Sequence, residues 1–374
     1  MAGQGDQARR KTRTAMSALV SISTPHATIV RDPDGMAQPV TKLPVVVLSP
    51  HSQCNCRCVM CDIWRIREPK EINPRDLERQ LDSFRELGVR WVVFTGGEPQ
   101  MNAQVGFLAQ MLRAEGIRVT MLTAGLLLEA HAESVATNID DVIVSLDGPL
   151  ALHNKIRRVS GAFERIAAGI TALRQFRPEM AVRARCTVQK ANHRSLCAVV
   201  QSAKKIGLNS ISFLAADLAS EAFNRPEGWG PERQERVALD AGEVDALEAE
   251  VERLISEHSL DLEAGFVVES AGKLRRIVLH FRAHLGQTEH VAPRCNAPWV
   301  SAVIEASGEV RPCFFHPSFG NIHNHTLHQI VNGPEALKFR ANLDVATNPV
   351  CRRCVCSLHI PSHQVRATKN ERLA

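Results

Sequence analysis

Four cysteines fall within eight residues, Cys54, Cys56, Cys58 and Cys61, and three more within six, Cys351, Cys354 and Cys356. Cys295 and Cys313 precede the second group, and of the eleven cysteines only Cys186 and Cys197 stand apart from both. Clustered thiols in a reducing compartment are metal or redox sites, because structural disulfides do not persist there. Cys54, Cys58 and Cys61 follow a C-x3-C-x2-C pattern that can hold three corners of an iron–sulfur cube and leave the fourth iron open to a ligand. Two other readings use Cys56 as a fourth thiolate, in a zinc knot or in a closed ferredoxin-type site. A second string, Trp91-Val-Val-Phe-Thr-Gly96-Gly97-Glu98-Pro99, sets two glycines and a carboxylate at the end of an apolar run. Glycines there let another group approach the backbone, and a glutamate can accept hydrogen bonds from an ammonium group.

Both strings need rigid elements to bring them together. Apolar, β-branched runs recur at 45–48, 91–95, 119–123, 142–146, 182–188 and 211–214. Helical spacing fills the gaps. One helix starts at Asn73 as N-cap with Pro74 in its first turn, presents Leu77, Leu81 and Phe84 on one face, and ends before Gly88; others lie near 107–112, 163–173 and 196–206. Six strands alternating with helices imply parallel β/α units, in an open sheet or a partial barrel, and the loops at their strand ends collect function. Further helices are expected at 244–255 and 271–284, and a hairpin at 301–304 and 310–313 with Gly308 at its turn. The divisions are a polar arm at 1–43, a core at 44–220, a helical connector at 221–289 and a cysteine-rich region at 290–374.

Composition narrows the classes. The chain has 374 residues, 44% hydrophobic and 23% charged, with a net charge of +5 and no tyrosine. That excludes disorder and coiled coil. No run of about 18 apolar residues is present, and no apolar stretch follows Arg9, Arg10, Lys11 and Arg13, so a cytoplasmic protein without a membrane span is expected. No basic stripe interleaved with aromatics points to nucleic acid.

The combination of Cys54, Cys58 and Cys61 with Gly96–Pro99 resembles the radical S-adenosylmethionine (radical SAM) superfamily over about residues 44–220. The resemblance implies an α/β fold with a partial (β/α)6 barrel of TIM type, a 4Fe–4S cluster on the three cysteines, and SAM chelated by the open iron. It also implies that Gly96, Gly97 and Glu98 receive the SAM amino group. Ser145, in Val-Ser-Leu-Asp-Gly, and Thr123, in Thr-Ala-Gly, stand where relatives contact SAM. Arg157 and Arg158 are candidates for its carboxylate, and their other reading is a solvated helix-start charge. Ala124 and Met60 depart from the family pattern, and Cys56 is an extra, passive thiol.

The C-terminal cysteines resemble the SPASM/Twitch extension of the same superfamily, through Cys-x12-Gly-x4-Cys followed by Cys-x2-Cys. The resemblance implies one auxiliary 4Fe–4S cluster on Cys295, Cys313, Cys351 and Cys354, in the shorter, single-cluster form; spacing alone leaves zinc open. Electron transfer is the natural role of a fully ligated cluster. The activity implied is reductive cleavage of SAM to a 5′-deoxyadenosyl radical that takes hydrogen from substrate, in an oxidation or bond formation. The short segment before the first strand favours a small polar substrate over a ribosomal peptide, and a flavodoxin or ferredoxin would supply the electron. A peptide maturase is the second reading and a non-enzymatic zinc module the third. Asp217, Glu221, Asn224, Arg225 and His316 are candidate bases or substrate ligands.

Overall fold

The computed structural model describes residues 38–366. Its centre is a run of six parallel strands: β1 (Val45–His51), β2 (Trp91–Gly96), β3 (Arg118–Thr123), β4 (Asp141–Ser145), β5 (Ala181–Val188) and β6 (Ile211–Ala215). Each strand pairs with the next in sequence, so every crossover advances the sheet by one position. The crossover helices include α1 (Pro74–Glu78), α2 (Leu81–Glu86), α3 (Val105–Ala114), α4 (Ala132–Asn138), α5 (Leu150–Arg157), α6 (Ala162–Phe176) and α7 (Leu196–Lys205). One face of the strands, with Val46, Phe94, Met121, Val144, Ala184 and Phe213, packs on Leu108, Leu112, Ile166, Ile170 and Val200 of those helices in one continuous core. β6 does not pair with β1, and the barrel is partial.

The other face carries polar side chains at alternate positions. Asp141 is buried and accepts from Arg118 at 2.7 Å, Arg183 at 2.8 Å and Thr120 at 3.1 Å, and Trp91 Nε1 donates to Thr120 at 2.9 Å. A buried carboxylate requires such partners, because desolvating an unpaired charge is costly. Nearer the strand ends lie Ser145, Arg185 and Thr187, with Arg185 donating to Ser212.

Two expectations change. The helix beginning at Asn73 has its capping box, with Asn73 accepting from Asp76 N and Asp76 accepting from Asn73 N, but it stops at Glu78 and restarts at Leu81. Between them Gln80 is buried, its amide donating to Ile322 O at 3.2 Å and accepting from Leu327 N at 2.7 Å. The hairpin appears as β7 (Ser301–Ile304) and β8 (Glu309–Arg311), followed by β9 (Gly320–Asn321). β7 pairs in parallel with β1, so the cysteine-rich region continues the barrel sheet on its β1 side. Between these parts lie α8 (Ala241–Glu257) and α9 (Ala271–His284), which pack on each other. Of the polar arm, residues 1–37 lie outside the described residues, while Val40 and Leu43 are buried.

Candidate active site

The loop after β1 carries Cys54, Cys56, Cys58 and Cys61. Two main-chain bonds pin it to the end of α5, from Arg57 N to Arg157 O and from Val59 N to Ile156 O, both 3.1 Å. Arg157 is buried, makes a 2.5 Å ion pair with the fully buried Asp147, and donates to Cys58 Sγ at 3.5 Å. A hydrogen bond from the Cys56 thiol, helped by the Arg157 guanidinium, outweighs burial and brings Cys58 down to about 6. Cys56, sharing bonds with Cys54 and Cys58, is pushed far up. Burial pushes Cys61 up to about 12. Main-chain N–H groups of Cys56 and Ile63 point at Cys54 Sγ and Cys61 Sγ, each at 3.5 Å. Arg158 is exposed and left-handed at the end of α5, turned away from this network.

Gly96 and Gly97 explain themselves by packing. A β-carbon on Gly97 would lie 1.9 Å from the Gln53 carbonyl oxygen, and one on Gly96, whose φ is +102°, 2.6 Å from Ser49 Cβ. The missing side chains let the cysteine loop lie against the end of β2, where Gly97 N and Glu98 N donate to His51 O and Gln53 O. Glu98 is fully buried. Its Oε1 accepts from Thr123 Oγ1 at 2.7 Å and Gln100 N at 3.2 Å, and its Oε2 from Ala124 N at 2.7 Å. Burial raises its pKa, and these donors oppose that. Thr123 thus faces Glu98 and is itself buried. Ser145 ends β4 half-buried, with no side-chain hydrogen bond among the described residues.

Asp62, directly after Cys61, gathers partners that sequence reasoning missed. Its carboxylate accepts from Trp229 Nε1 at 2.6 Å, Arg233 at 3.2 Å and Arg65 at 3.1 Å. Its main chain bonds Phe223 O and Asn224 Nδ2. Arg225 reaches Met60 O at 2.7 Å and pairs with Asp217 at 2.7 Å, both side chains almost fully buried. Asp217, a candidate base from sequence, is therefore bound to Arg225 and Ser220. Phe223 and Asn224 both take left-handed backbone angles, φ +63° and +60°. Such strain persists only where the surroundings fix it. Phe223 stacks on Phe314 at 6.4 Å and meets Phe315 edge-on, so one residue touches both the cysteine loop and the neighbours of Cys313.

The fold brings Cys295, Cys313, Cys351 and Cys354 close enough for their charges to interact, from the segment before β7, the end of the hairpin and the C-terminal segment. Burial pushes Cys313 up to about 12 and Cys351 up to about 11. His316 Nε2 lies 3.4 Å from Cys351 Sγ, and Arg276 of α9 donates to Cys354 O at 3.3 Å. Cys356 is exposed. A zinc tetrahedron with Zn–S near 2.3 Å needs sulfurs roughly 3.8 Å apart. Among the described residues no three cysteine sulfurs lie within 4.8 Å of one another.

The partial parallel barrel thus gathers three thiols and a Gly-Gly-Glu turn at the ends of its first two strands. Family models match accordingly: the radical SAM superfamily over residues 48–189, and the SPASM iron–sulfur cluster-binding domain over 295–355. The chain is 30% identical over 223 residues to a probable GTP 3′,8-cyclase of Thermococcus kodakarensis, covering 56% of this chain and 70% of that protein. It is 32% identical over 127 residues to an AdoMet-dependent heme synthase of Oleidesulfovibrio alaskensis, 33% of each chain. The matched region spans only 33% to 43% of the first curated relatives. In fold it resembles Streptococcus suis SuiB bound to precursor peptide SuiA, with a TM-score of 0.61 at 16% identity over 85% of this chain and 72% of that one. The chain belongs to the radical SAM superfamily and is an enzyme with a SPASM-type C-terminal region. Its cofactors are SAM and 4Fe–4S clusters. Among the described residues no helix is long and apolar enough to cross a membrane.

Proposed function

We propose that Cys54, Cys58 and Cys61 hold the SAM-binding 4Fe–4S cluster, and that Cys295, Cys313, Cys351 and Cys354 hold a single auxiliary one. The first cluster supplies reductive cleavage of SAM to a 5′-deoxyadenosyl radical, and the second accepts an electron from substrate. The chain's own groups set the stage. Arg157 and the N–H groups of Cys56 and Ile63 offset thiolate charge at the first set. Gly96 and Gly97 keep the loop against β2, Glu98 and Thr123 fix the ends of β2 and β3 for the SAM amino group, and Ser145 offers a free hydroxyl from β4.

The substrate is a small polar molecule, oxidised or joined to a new bond, and a flavodoxin or ferredoxin in the cytoplasm supplies the electron. The observation carrying this reading is the polar inner sheet face, where Ser145, Arg185 and Thr187 stand near the strand ends that carry the cysteine loop. Curated relatives named for heme, Fe-coproporphyrin III and GTP chemistry support it.

The test uses anaerobically reconstituted enzyme with SAM and dithionite, and measures 5′-deoxyadenosine by chromatography. Wild type releases it. Cys58→Ala abolishes release, whereas Cys354→Ala lowers bound iron by roughly half and leaves uncoupled cleavage. Full cleavage by the Cys58 variant would contradict the assignment. Deuterium carried from a candidate metabolite into 5′-deoxyadenosine then identifies the substrate.

A further inference from the structure

Cys197 belongs to neither cysteine set, yet it is not alone. Among the described residues, Cys197, Glu257 and His258 form the single group of three metal-binding side chains whose donor atoms all lie within 4.8 Å of one another. Cys197 sits in the first turn of α7, buried; Glu257 is the last residue of α8, exposed; His258 caps that helix and is buried. The site is therefore on the helical layer, away from the strand ends that carry the chemistry above.

The surroundings are arranged for coordination. His258 Nδ1 lies 2.7 Å from Asp261 Oδ2, and Lys204 Nζ holds the same oxygen at 2.7 Å. A neutral imidazole paired with a carboxylate through Nδ1 carries its proton there, which leaves the Nε2 lone pair for a metal. The Cys197 main-chain N–H is spent on Glu250 Oε1 at 2.9 Å, which fixes the first turn of α7 and so the direction of the thiol. One thiolate and one carboxylate bring a charge of −2, which a divalent ion cancels. Sulfur with imidazole selects zinc over magnesium or calcium, and the three donor atoms, all within 4.8 Å of one another, can share one ion.

We propose that Cys197, His258 and Glu257 bind one zinc ion, with water completing the tetrahedron on the exposed side. The ion ties the end of α8 to the start of α7. α8 packs on α9, and α9 carries Arg276 to the Cys354 carbonyl, so the tie steadies the helix pair that leads to the auxiliary cysteines.

The experiment starts from enzyme reconstituted with iron and sulfide, so that the cluster thiols are filled. Zinc chloride is added, excess is removed, and metals are counted by mass spectrometry, with X-ray absorption at the zinc edge. One zinc per chain is expected, with a single sulfur at about 2.3 Å and lighter nitrogen and oxygen neighbours. Cys197→Ser and His258→Gln should remove the zinc and leave iron unchanged. Glu257→Gln, at an exposed position that does not disturb the core, should weaken zinc binding roughly tenfold or more and abolish any zinc-dependent rise in melting temperature. Wild type that retains no zinc, zinc that survives Cys197→Ser, or an edge with three or four sulfurs would each overturn the proposal. Radical chemistry is read separately by 5′-deoxyadenosine release, so either reading can fail alone.

Discussion

The two cysteine sets are held in different ways. Cys54, Cys58 and Cys61 lie within one loop, and that loop is clamped by the end of α5, by the Asp147–Arg157 pair and by the partners of Asp62. Every clamp is made by protein groups. Cys295, Cys313, Cys351 and Cys354 come from three segments far apart in sequence: Val45, Val300 and Ile360 form a separate small core, and the C-terminal segment that carries Cys351 and Cys354 has few buried side chains. Scattered ligands with little packing between them are drawn together chiefly by what they bind. The first site is a feature of the barrel that a cluster enters; the second is completed by its cluster.

Removing iron should give the largest effect. After chelation, amide exchange across 291–296 and 350–360 should approach that of an unstructured chain, while 45–62 keeps most of its protection, as read by mass spectrometry. Equal loss in both segments would erase the distinction. Next comes Arg157→Leu. It leaves Asp147 buried and unpaired, and breaking a buried pair costs about 3–5 kcal/mol. Urea unfolding should show that loss in the whole barrel, not in the C-terminal region alone. Gly97→Ala follows. Its β-carbon would collide with the Gln53 carbonyl, which costs about 1–3 kcal/mol as overpacking and pushes the loop off β2. Iron should leave the first set, with loss of its electron paramagnetic resonance signal on adding SAM, while the auxiliary signal persists.

What could be read from the sequence follows the same division. The six strands were legible to within three residues at each end, because each carries a buried, largely β-branched or aliphatic face against the helices. The cysteine loop was legible because its ligands are local. The parallel pairing of β7 with β1 was not, since a four-residue strand carries no register signal and its partner lies about 250 residues away. Nor was the break at Gln80, whose buried amide serves Ile322 and Leu327. Asp217 looked like a base because it ends a strand, but its charge is taken by Arg225 eight residues on. Asp62 gave one faint signal, its place next to Cys61 with Arg65 three residues on, while Trp229 and Arg233, which also bind it, cannot be paired with it from sequence alone.

The finest test concerns Asn296, the residue after Cys295. Its side chain donates to Ile360 O at 2.8 Å and accepts from Ile360 N at 3.0 Å, and its own N–H bonds Leu358 O at 2.9 Å. These bonds tie the first and last segments of the auxiliary set, beside those of Arg352 to His290 O and Glu289. Asn296→Ala removes the two side-chain bonds, worth about 1–2 kcal/mol together. In the loaded enzyme the cluster itself still spans Cys295 and Cys354, so melting should fall little. Once iron is chelated that support is gone, and exchange at 358–360 should rise faster than in the chelated wild type, with 45–62 unaffected. If Asn296→Ala instead disturbs the first set's iron, the two sites are coupled through β7 and β1 and the contrast between them does not hold.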